Sequence, residues 1–159
     1  MIRFITTGGT IDKIYFDALS RFEVGESALN EILNEALVQF DYEIVPLLRK
    51  DSLEMTDEDR QALRERIIAD DAKGFVITHG TDTMPETAEA LMGIDDKVIV
   101  LTGALTPARF RTTDAVFNVG MAVATVQSAK PGVYIAMSGH VFEAGKVRKN
   151  RDANRFEHL

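Results

Sequence analysis

Two short segments that contain threonine carry the residue types most capable of chemistry in this sequence. The first reads Thr6-Thr-Gly-Gly-Thr-Ile11 and the second reads Thr78-His-Gly-Thr-Asp-Thr-Met84. A threonine hydroxyl is a weak nucleophile at neutral pH and needs a base, acting directly or through a relay, before it can attack. Asp82 could bind the ammonium group of a ligand or hold a lysine in place, and a desolvated lysine such as Lys149 can serve as the base. The residue types therefore predict a site that works through a hydroxyl.

Each of these residues also has an ordinary structural explanation. A Thr-Gly-Gly-Thr run by itself is more often a tight turn than a catalytic one. His79 is better explained as a hydrogen-bonded structural histidine than as a ligand for a substrate. Lys149 lies in a basic stretch, Lys146–Arg155, of the kind that usually forms a solvated and partly disordered end. Capping is the ordinary role for three further residues, Thr83, Glu86 and Thr87.

Both threonine segments follow short apolar runs, which are typical of buried strands. The runs are Ile2–Thr6 and Gly74–Thr78, and apolar residues at helical spacing come after the second segment. Thr83 and Glu86 have the spacing of a capping box, so a helix is predicted to begin there. Thr81 and Asp82 are then expected at the carboxyl end of a strand and beside a helix N-terminus. Free N–H groups at such a terminus would suit a ligand carboxylate.

Strands and helices alternate along the rest of the chain. We expect an irregular loop over the site at Asp12–Gly25, and a short edge hairpin that joins Val141–Phe142 to Gly145–Val147. The predicted strands are Tyr42–Leu47, ended by Pro46, then Lys97–Leu101 and Val133–Met137. The first predicted helix is capped by Ser27 and reaches Phe40. The second runs from Thr56 to about Asp70, with Leu63 and Ile67 on its inner face. Two more helices are predicted at Glu86–Met92 and Ala115–Gln127.

This alternation predicts a three-layer α/β domain, with a mainly parallel sheet and helices on both of its faces. Ligands of such folds bind outside the carboxyl ends of the strands. Several polar or small residues fall at those ends in the predicted order, so one pocket could gather them: Thr10, Ser52, Thr81, Asp82 and Ala104.

Composition narrows the function classes. The chain has 159 residues, 45% of them hydrophobic and 27% charged, which fits one domain over 1–159. A net charge of -7 argues against binding to nucleic acid or to an anionic membrane. Cysteine is absent, the three histidines lack metal-ligand spacing, and no nucleotide-binding motif is present, so we expect neither a metal nor an organic cofactor. The start of the sequence has no long apolar run, which makes the cytoplasm the expected compartment.

The two threonine segments together resemble the signature motifs of the bacterial-type L-asparaginases (type I/II). The matching residues are Thr7–Ile11 near the start, and Thr78–Met84 with Glu86–Ala88 further along. The similarity continues through Ser52–Met55, Leu101–Ala104 and Asp114–Asn118, but it covers only the family's N-terminal domain. It implies an asparaginase N-terminal domain with flavodoxin-like architecture, with the family's smaller C-terminal domain absent, and a homodimer.

The resemblance also implies roles for individual residues. Thr10 would attack the side-chain amide to give an acyl-enzyme and ammonia, and water would then release aspartate. Thr81 would be the second catalytic threonine, with Lys149 and Asp82 as its relay. Asp82 would also hold the substrate's α-ammonium group and Ser52 its α-carboxylate, while backbone N–H groups would hold the oxyanion. The remaining substrate-binding candidates are Gly9, Leu53, Gly80 and Ala104.

Three departures from the family pattern leave alternatives open. Phe22 stands where the family has a loop tyrosine that supports the nucleophile, although Tyr15 could supply a hydroxyl from the same segment. Leu53 stands where the family usually has a polar residue. The missing domain contributes an acidic residue to the neighbouring subunit's site. We therefore weigh hydrolysis of asparagine or a related amide against two alternatives: a non-catalytic binder of acidic amino acids or amides, and one piece of a larger amidase.

Overall fold

The computed structural model describes residues 1–16 and 20–159 and is built around one central sheet. The strands, in chain order, are β1 (Ile2–Gly8), β2 (Lys13–Phe16), β3 (Arg21–Val24), β4 (Tyr42–Lys50), β5 (Gly74–Thr78), β6 (Val98–Thr102), β7 (Gly132–Met137), β8 (His140–Glu143), β9 (Val147–Asn150) and β10 (Arg155–His158). The central sheet has the order β4-β1-β5-β6-β7-β8. Its first five strands are parallel, and β8 is antiparallel to β7.

Helices cover both faces of this sheet. They are α1 (Leu29–Glu35), α2 (Asp57–Ala69), α3 (Met84–Ala90) and α4 (Ala115–Ser128). Successive residues of a strand point to opposite faces, so Ile77 packs with α2 and α3 whereas Val76 packs with α1 and α4. The predicted three-layer α/β architecture is confirmed. No helix in the described ranges is both long and apolar enough to span a bilayer.

The order of the parallel strands locates the ligand-binding edge. With the β2–β3 pair set aside, the order reads 2-1-3-4-5, which is the flavodoxin-like arrangement. From β1 the chain moves outward to β4, and it then returns across β1 to β5. Such a reversal opens a crevice at the carboxyl ends of β1 and β5, and ligands bind there in this class of fold.

The crossover from β6 through α4 to β7 has the opposite hand from the other crossovers of the parallel sheet. The chain steps in the same direction from β5 to β6 and from β6 to β7, yet α3 and α4 lie on opposite faces. Parallel crossovers are nearly always right-handed, and α1, α2 and α3 share one hand by the same argument. Residues 103–114 lie between β6 and α4 outside helix and strand, and this segment carries the chain to the other face.

The first helix is shorter than its periodicity predicted. The apolar spacing predicted a helix that reached Phe40, but α1 ends at Glu35 and Leu37 has a left-handed φ of 51°. Because L-residues adopt that φ rarely, the helix cannot continue through Leu37. Phe40 instead stacks on Phe4 with a centroid distance of 6.5 Å.

The second helix matches its prediction closely. It runs from Asp57 to Ala69, and Thr56 and Asp59 form a capping box at its start. Leu63 and Ile67 are completely buried, as the sequence predicted.

The segment Asp12–Gly25 was wrongly predicted to be an irregular loop. Strands β2 and β3 form an antiparallel pair in which Tyr15 lies opposite Phe22. The part of the prediction that concerns residues 17–19 lies outside the described residues.

Two further strand predictions were wrong. Val141 and Phe142 belong to β8 and pair with β7, whereas Val147 begins β9 and pairs with His158 of β10. The β9–β10 hairpin packs on the domain because Val147 and Phe156 are buried in the core on the face of α2 and α3, whereas residues 151–155 between them are exposed. Strand β4 continues past Pro46 to Lys50, which an edge strand tolerates because its outer N–H groups need no ladder partner.

Candidate active site

Three turns at the carboxyl edge of the sheet touch one another through glycines. A methyl group built on Gly9 would lie 2.4 Å from the amide nitrogen of Gly80, and one built on Gly80 would lie 2.5 Å from Cβ of Ser52. Contacts that close exclude any side chain at these two positions. Thr10 and Thr81 directly follow these glycines, so the structure brings the turns of both threonines together with Ser52, as the strand order predicts.

A buried lysine reaches the second threonine from the far end of the chain. Lys149 lies on β9, and its Nζ lies 2.6 Å from Oγ1 of Thr81. The same nitrogen lies 3.6 Å from Oδ1 of Asp82, and the lysine side chain is only 4% exposed. Phe156 of β10 places its ring centroid 5.6 Å from Nζ. The β9–β10 hairpin therefore holds the amine against the Thr81 hydroxyl.

Burial lowers the pKa of this lysine and so favours its neutral form. Desolvation lowers the pKa of Lys149, and the Asp82 carboxylate acts in the opposite direction by favouring the ammonium form. The positive charge of Arg151 lowers the pKa of Lys149 further. A lowered pKa increases the fraction of neutral amine, and a neutral amine can accept the proton of the Thr81 hydroxyl.

Asp82 lies beside two basic side chains. Its Oδ1 lies 3.6 Å from the Lys149 amine and 3.9 Å from Nε of Arg151. Nη2 of Arg151 also lies 3.4 Å from the backbone oxygen of Asp82. The Asp82 side chain is 35% exposed, so it lies between the buried Lys149–Thr81 pair and solvent.

The hydroxyl of Ser52 is left with a proton to donate. Its Oγ accepts the N–H groups of Asp82 and Thr83 at 3.2 and 3.4 Å, and the residue is buried. A hydroxyl has two acceptor lone pairs and one hydrogen. Because both lone pairs are occupied, a ligand can use only the hydrogen, and this favours an anionic group such as a carboxylate.

The predicted capping box at the start of α3 does not form. Thr83 makes no side-chain capping bond, and its hydroxyl donates to the backbone oxygen of Ser52 at 2.7 Å. The N–H groups of Asp82 and Thr83 are likewise engaged by Ser52. These donors are therefore not free for a ligand, which corrects the prediction of an anion site made of open N–H groups.

His79 is a structural residue, as the sequence predicted. It is completely buried, and burial lowers its pKa to about 4, so the ring is neutral near pH 7. Nδ1 lies 2.6 Å from the Gly80 oxygen, which assigns the ring proton to that nitrogen. Nε2 lies 2.8 Å from the hydroxyl of Thr87, which in turn accepts from Arg60 at 3.1 Å. Thr87 therefore holds His79, and capping is not its role.

A buried carboxylate, that of Asp12, links the turn that carries Thr10 to the start of α1. Gly8 and Gly9 have φ of 105° and 90°, and a 3-10 helix follows at Thr10–Asp12. The carboxylate of Asp12 accepts the Ala28 N–H at 2.9 Å, and burial raises its pKa to about 6. Thr10 itself is partly exposed. No local pattern singles out Asp12, because its burial depends on packing against α1.

The loop candidates form a half-exposed aromatic cluster. The rings of Tyr15 and Phe22 lie 5.5 Å apart between centroids, and Phe110 lies 5.6 Å from Phe22. Leu53 is 62% exposed, whereas Ala104 is completely buried in the core on the face of α1 and α4. The role of each of these residues in substrate binding stays a prediction.

Sequence reasoning missed the residues that hold the end of β6. The Asp114 carboxylate accepts the N–H groups of Leu105 and Thr106. Nδ2 of Asn118 donates to the Gly103 oxygen at 2.9 Å, and its Oδ1 accepts the Ser138 N–H at 3.0 Å. The sequence does contain a signal for these residues, which is an aspartate four residues before an asparagine at the start of a predicted helix.

Comparison with known proteins gives consistent results for family and fold. The family model "Asparaginase, N-terminal" matches residues 1–157. "L-asparaginase 2" of Escherichia coli (strain K12) is 35% identical over 159 residues, which is 93% of this chain and 46% of that protein. A glutamyl-tRNA(Gln) amidotransferase component of Methanococcus maripaludis is 38% identical over 104 residues, which is 60% of this chain and 25% of that protein.

Solved structures show the same relationship. The thermostable L-asparaginase from Thermococcus kodakarensis superimposes with a TM-score of 0.85 at 26% identity, covering 99% of this chain and 51% of its own. A probable cytoplasmic L-asparaginase from Campylobacter jejuni gives 0.80 at 30% identity, with 99% and 51% coverage. The chain thus spans about half the length of the relatives it matches most fully.

Proposed function

The chain belongs to the asparaginase family through that family's N-terminal domain, and from this membership and the site geometry we propose that it is an amidohydrolase. Its substrate would be L-asparagine or a related side-chain amide. The observation that carries the proposal is the 2.6 Å contact between buried Lys149 and Thr81, in a turn that touches the turn of Thr10. A buried amine beside a hydroxyl is a costly arrangement unless it serves chemistry.

In this proposal Thr10 is the nucleophile. Its oxygen bonds to the amide carbon while its proton enters the relay, and the proton is returned to the nitrogen as the carbon–nitrogen bond breaks. Ammonia leaves and an acyl-enzyme remains, and water then hydrolyses it to the free acid. Thr81, Lys149 and Asp82 form the relay, with neutral Lys149 accepting the proton of Thr81.

Substrate recognition in this proposal uses the donors and acceptors around the relay. Ser52 donates its proton to a carboxylate of the substrate, and Asp82 is the acceptor for an α-ammonium group where the substrate has one. Backbone N–H groups of the turns that carry Thr10 and Thr81 would stabilise the oxyanion, apart from the Gly9 N–H, which donates to the Lys50 oxygen at 2.9 Å. Contacts from Leu53 and Ala104 belong to the same proposal.

A second candidate function is a non-catalytic binder of acidic amino acids or amides. The observation that favours it is the aromatic cluster of the β2–β3 hairpin, where Phe22 has no hydroxyl and Tyr15 is half exposed. The glutamyl-tRNA(Gln) amidotransferase relative keeps a third alternative open, a part of a larger amidase that supplies ammonia to a partner. A homodimer in the cytoplasm stays part of our proposal, and relatives are named for different compartments.

Ammonia release tests the proposal directly. The protein would be assayed with asparagine, glutamine and related amides, alongside Thr10→Ala and Thr81→Ala. Thr112→Ala is a matched control, because Thr112 is exposed and lies outside the site. We expect turnover by the native protein and the control, and its loss in both site variants with folding intact. If the protein shows no turnover but is thermally stabilised by aspartate or asparagine, the non-catalytic binder replaces the enzyme as the proposed function.

A further inference from the structure

A chain of hydrogen bonds runs from a cation on α2 to the turn that carries Thr81. Nε of Arg60 donates to Oγ1 of Thr87 at 3.1 Å, and that oxygen lies 2.8 Å from Nε2 of His79. Nδ1 of His79 lies 2.6 Å from the backbone oxygen of Gly80. Thr87 and His79 are completely buried, and the Arg60 side chain is only 12% exposed. Solvent therefore competes little for these bonds.

The direction of each bond in this chain follows from the groups that form it. A backbone oxygen can only accept, so Nδ1 of His79 carries the ring proton and donates to Gly80. Nε2 is then an acceptor, and the Thr87 hydroxyl donates to it. A guanidinium has donors only, so Arg60 donates to the Thr87 oxygen. All three protons therefore point away from the cation and toward the peptide group between Gly80 and Thr81.

This peptide group has an N–H that is open to a ligand. In a trans peptide the C=O and the following N–H point in opposite directions, and the structure contains no cis peptide among its described residues. Because His79 holds the Gly80 oxygen, the Thr81 N–H points away from the histidine. The next two N–H groups along the chain donate to Ser52. In the part of the chain that the structure describes, the Thr81 N–H has no such partner.

The same chain of bonds makes the Thr81 N–H a stronger donor. Hydrogen bonds that follow one another in one direction polarise each other in a low-dielectric interior, and a cation at the start adds to the effect. The His79 ring is neutral near pH 7 because burial lowers its pKa to about 4, so it brings no charge of its own into the turn. A polarised N–H beside the turn of Thr10 suits the negative oxygen that forms when a hydroxyl attacks an amide.

We propose that His79 is a positioning residue for acyl transfer, and that Arg60 and Thr87 act through it on the Thr81 N–H, which stabilises the oxyanion. His79 touches no reacting atom in this assignment. It fixes the plane of the peptide between Gly80 and Thr81 and increases the positive charge on its N–H. The inference rests on the proposed amidohydrolase function and deepens it by assigning one oxyanion donor and the residues that orient it.

The oxyanion exists only after the hydroxyl has attacked the amide carbon. The uncharged amide oxygen of the bound substrate gains much less from a polarised donor than the oxyanion does. Loss of the chain should therefore lower kcat and leave KM nearly unchanged.

Two pairs of matched variants test the assignment with the amide that the native protein hydrolyses fastest. Thr87→Val removes a buried hydroxyl and keeps the shape of the side chain, and Thr125→Val does the same in α4, where the hydroxyl donates to the Met121 oxygen. Arg60→Met removes the cation. Arg64→Met is its control on α2, because Arg64 bonds only to backbone oxygens at the end of α3.

The expected loss follows from weakening one oxyanion donor, whose complete removal costs about 100-fold to 1,000-fold in kcat. We expect kcat to fall about tenfold to 100-fold in Thr87→Val and about threefold to tenfold in Arg60→Met. Thr87→Ser keeps the hydroxyl, so it and both controls should stay within about twofold of the native protein. KM should change less than about twofold in every variant.

Two further measurements separate this role from a loss of folded protein. Single-turnover reactions with saturating protein give a rate constant that does not depend on the folded fraction, and it should fall as kcat does. Nitrogen NMR of the imidazole in the native protein should show His79 neutral near pH 7 and protonated at Nδ1. This second measurement needs no turnover, so it tests the hydrogen-bond chain independently of the proposed function.

The other outcomes distinguish this inference from the function beneath it. Equal kcat in Thr87→Val and Thr125→Val, with an active native protein, would overturn the positioning role and leave the amidohydrolase intact. A ring proton on Nε2 of His79 would do the same, because the chain would then run in the opposite direction. If Thr87→Val does not fold, equal kcat in Arg60→Met and Arg64→Met overturns the role. An absence of turnover by the native protein would overturn both proposals.

Discussion

The two threonine turns are held in different ways although they touch. Thr81 is 7% exposed, and its hydroxyl contacts a lysine that is itself buried. The neighbouring His79 is locked by the Thr87 hydroxyl. Thr10 is partly exposed and directly precedes a two-stranded hairpin in which Tyr15 and Phe22 are about half exposed. The proposed proton relay is thus held by buried contacts, while the side of the proposed nucleophile is partly exposed.

This difference separates two requirements of hydroxyl chemistry. The proposed relay needs a dry environment, because desolvation is the main cause of the lowered pKa of Lys149. The proposed nucleophile needs access for a substrate, and Thr10 is partly exposed. Changes on the relay side should therefore affect the chemical step most, and changes on the hairpin side should have smaller effects.

The largest effect is expected from removing the amine of the relay. Lys149→Met keeps an unbranched side chain of similar length but has no base, so ammonia release should fall about 100-fold to 10,000-fold. Lys146→Met is the control, since Lys146 is 69% exposed and pairs with Glu143 on the surface. Steady-state kinetics of both variants would measure the difference. Activity in Lys149→Met within about threefold of the control would remove the relay from the mechanism.

The next largest effect is expected from a substitution at the contact between the two threonine turns. Gly9→Ala places a methyl group 2.4 Å from the Gly80 amide at a φ of 90°. It should lower the free energy of unfolding by about 2–4 kcal/mol through backbone strain and overpacking, and separating the turns should reduce turnover. Gly120→Ala is the control, because Gly120 lies in α4 with open space around it. That change should be neutral or stabilising by up to about 1 kcal/mol in chemical denaturation.

Asp12 predicts a pH dependence of stability on the Thr10 side. Burial raises its pKa from 3.8 to about 6, so between about pH 4 and pH 6 the folded chain binds a proton that the unfolded chain has lost. The contribution of this group is therefore fully present below about pH 4 and decreases as pH rises to about 6, by about 3 kcal/mol.

Asp12→Asn tests that dependence. The amide oxygen can still accept the Ala28 N–H, but the side chain no longer ionises. The variant should be more stable than the native protein at about pH 7, by as much as about 3 kcal/mol, and nearly equal to it at about pH 4. Urea denaturation at the two pH values would show this. An equal difference at both values would mean that Asp12 does not titrate with a raised pKa.

The smallest effect is expected from the aromatic cluster. If the Tyr15 hydroxyl supports Thr10, Tyr15→Phe should lower turnover about twofold to tenfold, which corresponds to one hydrogen bond. Phe22→Tyr adds a hydroxyl on the opposing strand and should raise turnover or restore it in the double variant. Unchanged kinetics in both variants would show that the hairpin supplies no hydroxyl to the nucleophile.

The edge of the sheet where the site lies could be predicted from the sequence. Thr10, Ser52 and Thr81 each follow an apolar run, and the carboxyl ends of parallel strands lie along one edge whatever the details of packing. The distance from Lys149 to Thr81 could not be predicted, because the two residues are 68 positions apart. A hairpin whose docking depends on burial of Val147 and Phe156 brings them together.

Predictions from local sequence patterns were wrong where a residue distant in sequence bonded to the same polar group. Thr83 and Glu86 have capping-box spacing, yet the Thr83 hydroxyl bonds to the backbone of Ser52, 31 residues away. Periodicity also extended α1 too far, since it cannot detect that Leu37 turns into left-handed backbone. Propensity describes what a segment does alone, and tertiary contacts decide between the remaining options.

In the proposed mechanism, activity depends on a local folding equilibrium of the β9–β10 hairpin. Two-stranded hairpins are marginal by themselves, and this one is held to the domain chiefly by Val147 and Phe156. Regions with few core contacts open at lower free energy than the central sheet. Detachment of this hairpin would withdraw Lys149 while the sheet stays folded, so catalysis should disappear at a lower denaturant concentration than the circular dichroism of the helices.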